Sequence, residues 1–521
     1  MSNLSTHTFR SVFGGLLLIS LSVAPAEGQP IYDVTDYGAV GNGVVDDSPA
    51  INAALAAIPP GERGVLYFPT GVYLTSTTVV LKDGLIVRGA GMELTVITRT
   101  ANGNSHILEG TLTGISDVIV EDLSVDGAPA EGIRIQQGDH IEIRRVKVSN
   151  SGDYGIGLEA GPYFDVAIRD VVVDTSEADG IDIKNTSDSN ANVVLERVLV
   201  RNPGGSTGAG IDIRGPVSLS KITVEQLNAG QAGVRFRHGE AGSGTGLGGH
   251  YSILNDFRIG AGSSTNNTTG VLVNGRNVLV SNGFVRDVKT GIAASGNTAP
   301  NAGYKTTISA VNIENVTVGI ETTQPDTTIR DCKITNVYQG IIVNYVPISV
   351  PVAEPLNNTA IISNVSMVGT STSDNGITIM SPNVTVGDSF ISKFLNGVSI
   401  SVPNTQRADT TIVNVTSSQS RSSGFKVTDS NDNAGWGSDN VRFTNCRAVN
   451  GGGWGWRITS DGVTISGCTA SYNVDRGIRI LIEGNMTPAN TLVTGCHLHN
   501  NTGGAWQDQG WGTVFSNNFI W

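Results

Sequence analysis

The sequence is poor in charge, in cysteine and in long apolar runs. Only 15% of its 521 residues are charged and only four are cysteines, whereas 66 are glycine. So few cysteines exclude a disulfide-dense scaffold, and the net charge of −13 argues against nucleic acid as a partner. Beyond the N-terminal segment no apolar run reaches the roughly 20 residues that a membrane helix needs. We therefore expect neither nucleic acid nor a membrane as a partner.

The N-terminus has the pattern of a secretory signal. His7 and Arg10 precede an apolar run over residues 12–19, and residues 24–26 read Ala-Pro-Ala, a small-residue cleavage site. A membrane anchor is the alternative, but the run is short for one. We expect residues 1–26 to be a signal peptide, residues 27–521 to be a single domain, and the protein to be secreted or periplasmic.

What the sequence has in abundance is one short motif, a glycine followed by an apolar residue that opens an alternating strand. The motif returns at intervals that mostly lie between roughly 21 and 31 residues, a period typical of solenoids. The strands are too short and too often interrupted by glycine for helical repeats. The opening residues are Gly132, Gly155, Gly180, Gly210, Gly233, Gly270, Gly291, Gly319, Gly340, Gly376, Gly397, Gly424, Gly455 and Gly477.

An Asn or Asp precedes the opening glycine by four to six residues in many repeats. Because both residue types tolerate the left-handed backbone conformation, this marker predicts a turn, and stacked turns would form a ladder of polar side chains. The marker residues are Asn150, Asp174, Asn228, Asp287, Asn315, Asn336, Asn450 and Asn473. Residues 47–57 predict a short helix, which would cover the open N-terminal end of the core.

The cysteines and tryptophans follow the same repeats. Cys446, Cys468 and Cys496 recur 22 and 28 residues apart. An even number of cysteines in an exported protein also suits disulfides, but the spacing favours small side chains stacked in successive coils. All six tryptophans lie in the last 86 residues. They either stack on sugar rings or plug the open end of the core, and we favour the plug.

The N-terminal segment carries a family resemblance. Residues 32–43 read Tyr-Asp-Val-Thr-Asp-Tyr-Gly-Ala-Val-Gly-Asn-Gly, and with residues 46–51 and 65–73 they resemble the opening of the pectate-lyase-like β-helix superfamily. The resemblance implies an all-β fold, a right-handed parallel β-helix solenoid with a short N-terminal capping helix, and a polysaccharide substrate. Residues 178–183 also look like the Asp-Gly-Ile-Asp stretch of polygalacturonases.

Other family motifs are absent. The sequence has no Gly-His-Gly of polygalacturonases, no Tyr-Gly-Phe-Asp-Pro-His of alginate epimerases and no Arg-x-Pro-x-x-Arg of the best-known pectate lyases. Because the superfamily includes lyases, hydrolases, epimerases and phage tailspikes, the resemblance predicts the fold more sharply than the reaction.

Two outward-facing positions of each repeat concentrate the charge. The residues two and four places after the glycine share the face opposite the core, and coils about 4.8 Å apart stack them into columns. Over five coils the first column reads Arg134, Gly157, Asp182, Asp212 and Arg235, and the second reads Gln136, Glu159, Lys184, Arg214 and Arg237. We expect these side chains to be solvent-exposed, so that truncating one costs within about 0.5 kcal/mol.

This cluster of charges predicts a functional site. Asp182 and Asp212, one coil apart, cannot both ionise freely, so they would share a proton, bind a cation such as Ca²⁺ or be held by the basic residues. The predicted catalytic residues are Asp182, Lys184, Asp212 and Arg235, with Lys184 or Arg235 as the base. The predicted substrate-binding residues are Arg134, Tyr154, Glu159, Asp179, Arg214, Arg237 and His238, with the arginines holding carboxylates in bidentate contacts.

Three classes of function fit this site. The preferred hypothesis is a lyase that cleaves an acidic, uronate-containing polysaccharide by β-elimination, a reaction that needs a base and positive charge near the enolate. A hydrolase of the polygalacturonase type would use the two aspartates as its carboxylate pair, and a uronate epimerase is a further alternative. In the third class, a non-catalytic adhesin or structural β-helix, the charges are incidental.

Overall fold

The computed structural model describes most of the predicted mature domain. It covers residues 28–521 except 101–104, 185–190, 207, 238–249, 262–266, 296–304, 345–358, 404–406, 429–437 and 483–486. The predicted signal peptide over residues 1–26 lies outside the described residues, as does His238. Among the helices within those described ranges, none is long and apolar enough to cross a membrane.

The chain winds as a parallel β-helix whose strands lie on three faces around a core of valine and isoleucine. Each strand pairs in parallel with its counterpart in the next coil, as Ile181–Lys184 does with Ala209–Arg214. Successive coils therefore share one register. The prediction of an all-β parallel β-helix is confirmed.

The first sheet contains the strands that follow the opening glycines. Its strands are Val79–Leu81, Leu108–Gly110, Ile133–Ile135, Ile156–Leu158, Ile181–Lys184, Ala209–Arg214, Ala232–Phe236, Thr269–Val273, Thr290–Ala294, the last parts of Thr306–Thr322 and Lys333–Val343, then Asn375–Ile379, Asn396–Ile400, Ser423–Thr428, Trp454–Thr459, Ile478–Ile480 and Trp506–Asp508.

Long bent strands in the middle of the chain serve both remaining sheets, passing from one face to the next at a residue with positive φ. These are Ile115–Asp126, Gly138–Ser151, Tyr163–Ser176, Ala191–Arg201, Ser218–Glu225, Ile253–Gly260, Val278–Arg286 and Thr306–Thr322. The second sheet adds Ile31–Asp33, Gly64–Phe68, Leu85–Gly89, Thr327–Arg330, Ala360–Ser363, Val384–Gly387, Thr411–Val413, Arg442–Thr444, Thr464–Ser466, Leu492–Thr494 and Val514–Ser516. The third adds Asn42–Asp46, Gly71–Thr75, Thr95–Arg99, the start of Lys333–Val343, Ser366–Gly369, Phe390–Ser392, Thr416–Ser418, Arg447–Val449, Thr469–Ser471, His497–His499 and Phe519–Ile520.

The predicted turn ladder is present in part. Asp287, Asn315 and Asn336 all have positive φ, and the side chain of Asn315 donates to Asp287 at 3.2 Å while Asn336 donates to Asn315. At three other markers the prediction is wrong by one or two positions, because a neighbouring residue takes the left-handed conformation instead. Those neighbours are Thr175, Gln226 and Tyr472, in place of Asp174, Asn228 and Asn473.

The N-terminal helix spans Ser48–Ala57 and follows a 3-10 turn over Val34–Tyr37. Its apolar face buries Ile51 and Ala54 in the core cluster. The carboxylate of Asp46 accepts from the backbone nitrogen of Ser48 at 3.0 Å, whereas Asp47 accepts from that of Val40 at 2.6 Å. The role of this helix as a cap stays a prediction.

The prediction that the tryptophans plug the open end of the core is wrong for the two residues nearest the C-terminus. Trp511 and Trp521 are 73% and 66% exposed. Trp456 is instead buried within the solenoid, stacked on Phe425 with ring centroids 4.8 Å apart. Trp436 lies outside the described residues.

The four cysteines are all buried and unpaired. Thr444, Ser466 and Thr494, two places before Cys446, Cys468 and Cys496, pair in register on successive coils, which confirms the stacked arrangement of these three cysteines. The thiol of Cys468 accepts from the backbone nitrogen of Cys446 at 3.3 Å, and thiols along this corner donate to backbone carbonyls.

We expect the denatured, unreduced protein to titrate with four free thiols in a thiol-specific colorimetric assay. The reason is that the stacked cysteines lie along a single corner of the solenoid and each satisfies its own backbone contacts. A titre of zero would show that the cysteines are paired.

Candidate functional site

The candidate site lies on the outer face of the first sheet, where the shared register builds the two charged columns. Gly157 pairs with Asp182, Asp182 with Asp212, and Asp212 with Arg235. In the second column Lys184 pairs with Arg214. The structure therefore brings the predicted catalytic residues together on consecutive coils.

The expectation that both columns are solvent-exposed is wrong for the aspartates. Asp182 and Asp212 are 0% exposed, while the side chains of Lys184, Arg214 and Arg235 that surround them remain 12–21% exposed. Short carboxylates on adjacent coils are covered by longer cationic side chains that bend over them. Changes at Asp182 and Asp212 therefore act on a buried ionic network, and their cost exceeds that of an ordinary surface substitution.

Asp212 is the centre of this network. Its Oδ1 lies 2.7 Å from Nε of Arg235, and its Oδ2 lies 2.6 Å from Nε of Arg237. Arg214 donates to the same Oδ2 at 3.5 Å, and Arg235 also reaches Oδ1 of Asp179 at 3.4 Å. One buried carboxylate thus fixes three guanidinium groups.

Asp182 and Asp179 complete a group of three buried carboxylates whose ligand atoms lie within 4.8 Å of one another. Burial raises the pKa of Asp182 to about 7 and that of Asp179 to about 6, and the charge of Asp212 adds to both shifts. Neither oxygen of Asp182 accepts a hydrogen bond within the described part of the chain, although Nζ of Lys184 lies 3.4 Å from Oδ2. This carboxyl group is therefore suited to hold a proton.

The same three carboxylates have the spacing of a metal site, and carboxylate oxygens are ligands that Ca²⁺ prefers. Asp212, however, already has both oxygens paired with guanidinium groups, and Asp179 shares Arg235. A cation here would have to compete with these arginines.

Lys184 links the aspartates to an aromatic side chain. Its Nζ donates to Oη of Tyr154 at 3.2 Å and to Oε1 of Glu159 at 3.0 Å, and it lies 4.4 Å from the centroid of the Tyr154 ring. Burial works to lower the pKa of Lys184, but the charges of Asp182 and Glu159 outweigh it and raise the pKa. Burial also raises the pKa of Tyr154, so at neutral pH Lys184 is charged and Tyr154 is protonated.

A second cluster adjoins the first and includes residues that the sequence analysis did not select. Nδ1 of His106 lies 2.6 Å from Oε2 of Glu131, and its Nε2 lies 3.0 Å from Nη1 of Arg134. Burial and the nearby charge of Glu131 raise the pKa of Asp153, which also interacts with Lys184. Arg134, predicted as a substrate-binding residue, therefore belongs to this second cluster.

The sequence does contain a pattern that points to Glu131. The residue immediately before the opening glycine is Glu131, Tyr154 and Asp179 in three successive coils, which forms a third column beside the two charged ones. His106 follows no such rule, because it precedes the first of the glycine-opened strands.

The glycine-rich segment over residues 239–251, which follows the charged columns, lies mostly outside the described residues. His250 is described and buried, and its Nδ1 accepts from the backbone nitrogen of Arg276 at 2.6 Å. This contact gives His250 a structural role.

Comparison with known proteins supports the sequence resemblance. The family model for rhamnogalacturonase A/epimerase, pectate lyase-like, matches residues 31–235, a range that contains most of the candidate site. The predicted resemblance to the pectate-lyase-like parallel β-helix superfamily is confirmed.

Curated relatives match a limited segment. Mannuronan C5-epimerase AlgE4 of Azotobacter vinelandii is 31% identical over 174 residues, which are 29% of this chain and 31% of that protein. Alginate lyase 7 of the same organism is 30% identical over 154 residues, 27% of this chain and 17% of that protein. The chain thus matches less than a third of the length of these relatives.

Among solved structures, the N-terminal fragment of gene product 12 of bacteriophage Phi29 aligns with a TM-score of 0.54 at 14% identity. The alignment covers 94% of this chain and 92% of that one. The likeness supports the β-helix fold along nearly the whole chain.

Because the pKa of Asp182 is raised in the folded protein, this residue should make the free energy of unfolding fall as pH rises from about 4 to about 7. In this window the folded protein keeps a proton on Asp182 that the unfolded chain has lost. Asp182→Asn should remove this decline, so that it stabilises the protein at pH 8 relative to pH 5. Urea midpoints at the two pH values measure the effect.

The matched control is Asp170→Asn. A hydrogen bond from Arg197 lowers the pKa of Asp170, so this change should instead lower the free energy of unfolding at neutral pH. Identical pH profiles for wild type and Asp182→Asn would contradict the protonated carboxyl.

Proposed function

We propose that the protein is an enzyme that acts on a uronate-containing polysaccharide and removes the proton beside the sugar carboxylate, with β-elimination as the outcome. The observation that supports this most directly is the row of cations on one outer face, Lys184, Arg214, Arg235 and Arg237, held in place by buried carboxylates. Positive charge fixed in position is what an enolate requires.

The side chain of Arg237 is 35% exposed and that of Arg214 is 14% exposed. Their guanidinium groups are the ones that we propose to contact a sugar carboxylate, in the positions in which Asp212 holds them. Arg235 is tied to both Asp212 and Asp179, and we assign it and Asp212 to positioning rather than to contact with substrate.

The protonation states favour different residues for the proton transfers from those that the sequence suggested. The raised pKa values of Lys184 and Arg235 keep both side chains charged, so neither is suited to accept a proton. Asp153 is half-buried and its pKa is raised, which makes its carboxylate a stronger base than an ordinary aspartate. Tyr154 keeps its proton and lies against Lys184.

The proposed step follows from these states. The Asp153 carboxylate takes the proton from the carbon beside the sugar carboxylate and leaves the electron pair behind, and Arg214 and Arg237 stabilise the charge of the resulting enolate. The electron pair then forms the ring double bond as the glycosidic carbon–oxygen bond breaks. The departing oxygen takes its proton from Tyr154.

Epimerisation is a second candidate, because it begins with the same proton removal. In that reaction Tyr154 would return a proton to the carbon from the other side of the sugar. The match to Mannuronan C5-epimerase AlgE4 supports epimerisation as this second candidate.

Hydrolysis by Asp182 and Asp212 fits the geometry less well. Carboxylates that flank a glycosidic bond stand about 5 Å or more apart and must touch the sugar, whereas these two are fully buried, with ligand atoms within 4.8 Å of each other.

To test the reaction, purified protein is incubated with alginate and with polygalacturonate while ultraviolet absorbance, reducing ends and incorporation of solvent deuterium are followed. Elimination gives absorbance together with new reducing ends. Epimerisation gives deuterium in an intact polymer, and hydrolysis gives reducing ends without absorbance. Absence of all three on a broad panel of polyuronates would contradict the proposal.

We expect Tyr154→Phe, Asp153→Asn and Lys184→Ala each to lower turnover at least about a hundredfold, the lower end of what general acids and bases contribute. The side chains are half-buried, so the variants should remain folded, which circular dichroism and urea midpoints check.

Glu321→Gln is the matched control, because Glu321 occupies the first column of the same sheet outside the site. It should keep wild-type turnover. Equal small effects at the four positions would place the chemistry elsewhere.

We infer that a proton, rather than Ca²⁺, satisfies the buried aspartates, since arginines already pair with Asp212 and Asp179. Millimolar Ca²⁺ or a chelator should then leave both turnover and the thermal midpoint unchanged. A midpoint that rises with Ca²⁺ concentration, as linkage requires for a bound ion, would contradict this inference.

A further inference from the structure

The first column of the first sheet becomes cationic again near the C-terminus. Lys426 pairs with Arg457, and Arg457 pairs with Arg479, on three consecutive coils. We call these three residues together with Trp454 the C-terminal strip. It lies outside the segment that matches the family model, which ends at residue 235.

Three cations also follow one another in the second column of the candidate site, Lys184, Arg214 and Arg237, where Asp212 lies among them. On the second sheet the column that starts at Arg88 places Glu121 between Arg88 and Arg144, with contacts of 2.6 and 2.7 Å. In the C-terminal strip no carboxylate stands between the cations in the register. Within the described residues neither Lys426 nor Arg479 lies within ion-pair distance of a carboxylate. Stacked like charges repel each other, so an anion bound from outside would stabilise this arrangement.

An aromatic ring lies against these cations. Trp454 immediately precedes an opening glycine, as Tyr154 does in the candidate site. The guanidinium carbons of Arg479 and Arg457 lie 4.9 and 5.6 Å from the centroid of its ring. Its indole Nε1 and the Nε of Arg479 are buried and make no hydrogen bond within the described ranges. Cationic groups and an aromatic ring therefore occur together in the strip, and guanidinium groups bind carboxylates in bidentate contacts.

The strip and the candidate site share one column. From Arg235 the register runs through Leu272, Ala293, Glu321, Ile342, Thr378 and Ser399 to Lys426. These seven steps correspond to roughly 34 Å at about 4.8 Å per coil. A long polymer that lies along the outer face of the sheet can contact both places, whereas a short oligomer cannot.

We propose that the C-terminal strip is a remote binding site for the same acidic polysaccharide, and that its cations take successive carboxylates of the chain. The proposal rests on the proposed function for the choice of a polyuronate as ligand. The net charge of −13 repels a polyanion from the protein as a whole, so a local row of cations is the favourable place for it to bind. Simultaneous contact at two places strengthens binding without new chemistry at the site.

The test uses the full chain with the paired change Lys426→Gln and Arg479→Gln. Its dissociation constants for long alginate, long polygalacturonate and their hexamers are measured by calorimetry, with dextran as the uncharged probe. We expect binding of the long polymers to weaken roughly tenfold or more, and binding of hexamers at the candidate site to stay unchanged. KM for long substrate should rise by the same factor with kcat unchanged.

The matched control is the paired change Arg442→Gln and Arg447→Gln. It removes the same charge from exposed positions of the same part of the solenoid, but on the second and third sheets. This control should bind every probe as wild type does. Equal weakening in control and test variants, or unchanged binding of long polymers by the test variant, would overturn the proposal, as would tight binding of dextran.

The two proposals fail separately. If no polyuronate is turned over but the test variant still loses affinity for long polymers, the strip is supported and the enzymatic proposal fails. If turnover is observed and the test variant keeps wild-type KM and affinity, the strip is overturned and the enzymatic proposal stands.

Discussion

Parallel pairing of each coil with the next is the constraint on which the rest of the structure depends. The backbone hydrogen bonds between coils fix one register along the sheet, so a residue two places after an opening glycine always stacks on its equivalent, as Asp182 does on Asp212. The stacking distance is set by the backbone and not by the side chains. Side chains that share a column must therefore tolerate each other at one-coil spacing.

The charged columns meet that requirement in different ways. On the second sheet Arg88 and Arg144 flank Glu121, so that opposite charges alternate. In the candidate site two aspartates occupy adjacent coils, and the cost of placing them together is offset by three arginines around Asp212 and by the raised pKa of Asp182. On the second sheet the charges balance one another within the protein. In the candidate site the cationic side chains cover a buried carboxylate and remain partly exposed to solvent.

The sequence predicted which residues form the columns but not that the aspartates in them are buried. The glycine period was enough to place Asp182, Lys184 and Asp212 on one face, and the same period identified the stacked cysteines, because both follow from local pattern and backbone pairing. Burial of the aspartates does not follow from pattern, since it depends on how far Arg235 and Arg237 bend across coils. His106 was missed for a related reason, because its contact with Arg134 joins positions 28 residues apart with no shared motif.

The helix start and the corner turns show the same limit at smaller scale. The sequence predicts a helical segment that begins at Asp47, whereas in the structure Asp46 accepts from the backbone nitrogen of Ser48 and Asp47 accepts from that of Val40. At the corners, a shift of one or two residues moves the left-handed conformation from Asn473 or Asn228 to a neighbour without changing the period. Such shifts alter which side chain points outward, and therefore which residues a site can use.

Burial of Asp212 also bears on the proposed reaction. An arginine on a flexible surface loses conformational entropy when it grips a substrate, whereas a guanidinium already held at 2.6 or 2.7 Å by a buried carboxylate has lost that freedom during folding. The carboxylate partly neutralises the positive charge that it positions, so the arrangement gains orientation at the expense of attraction. The raised pKa of Asp182, about 7, limits this loss, because the protonated carboxyl group cancels less of the field of Lys184 and Arg214 than an ionised one would. A site built in this way keeps net positive charge directed outward, and the buried carboxylate of Asp212 fixes the orientation of the arginines around it.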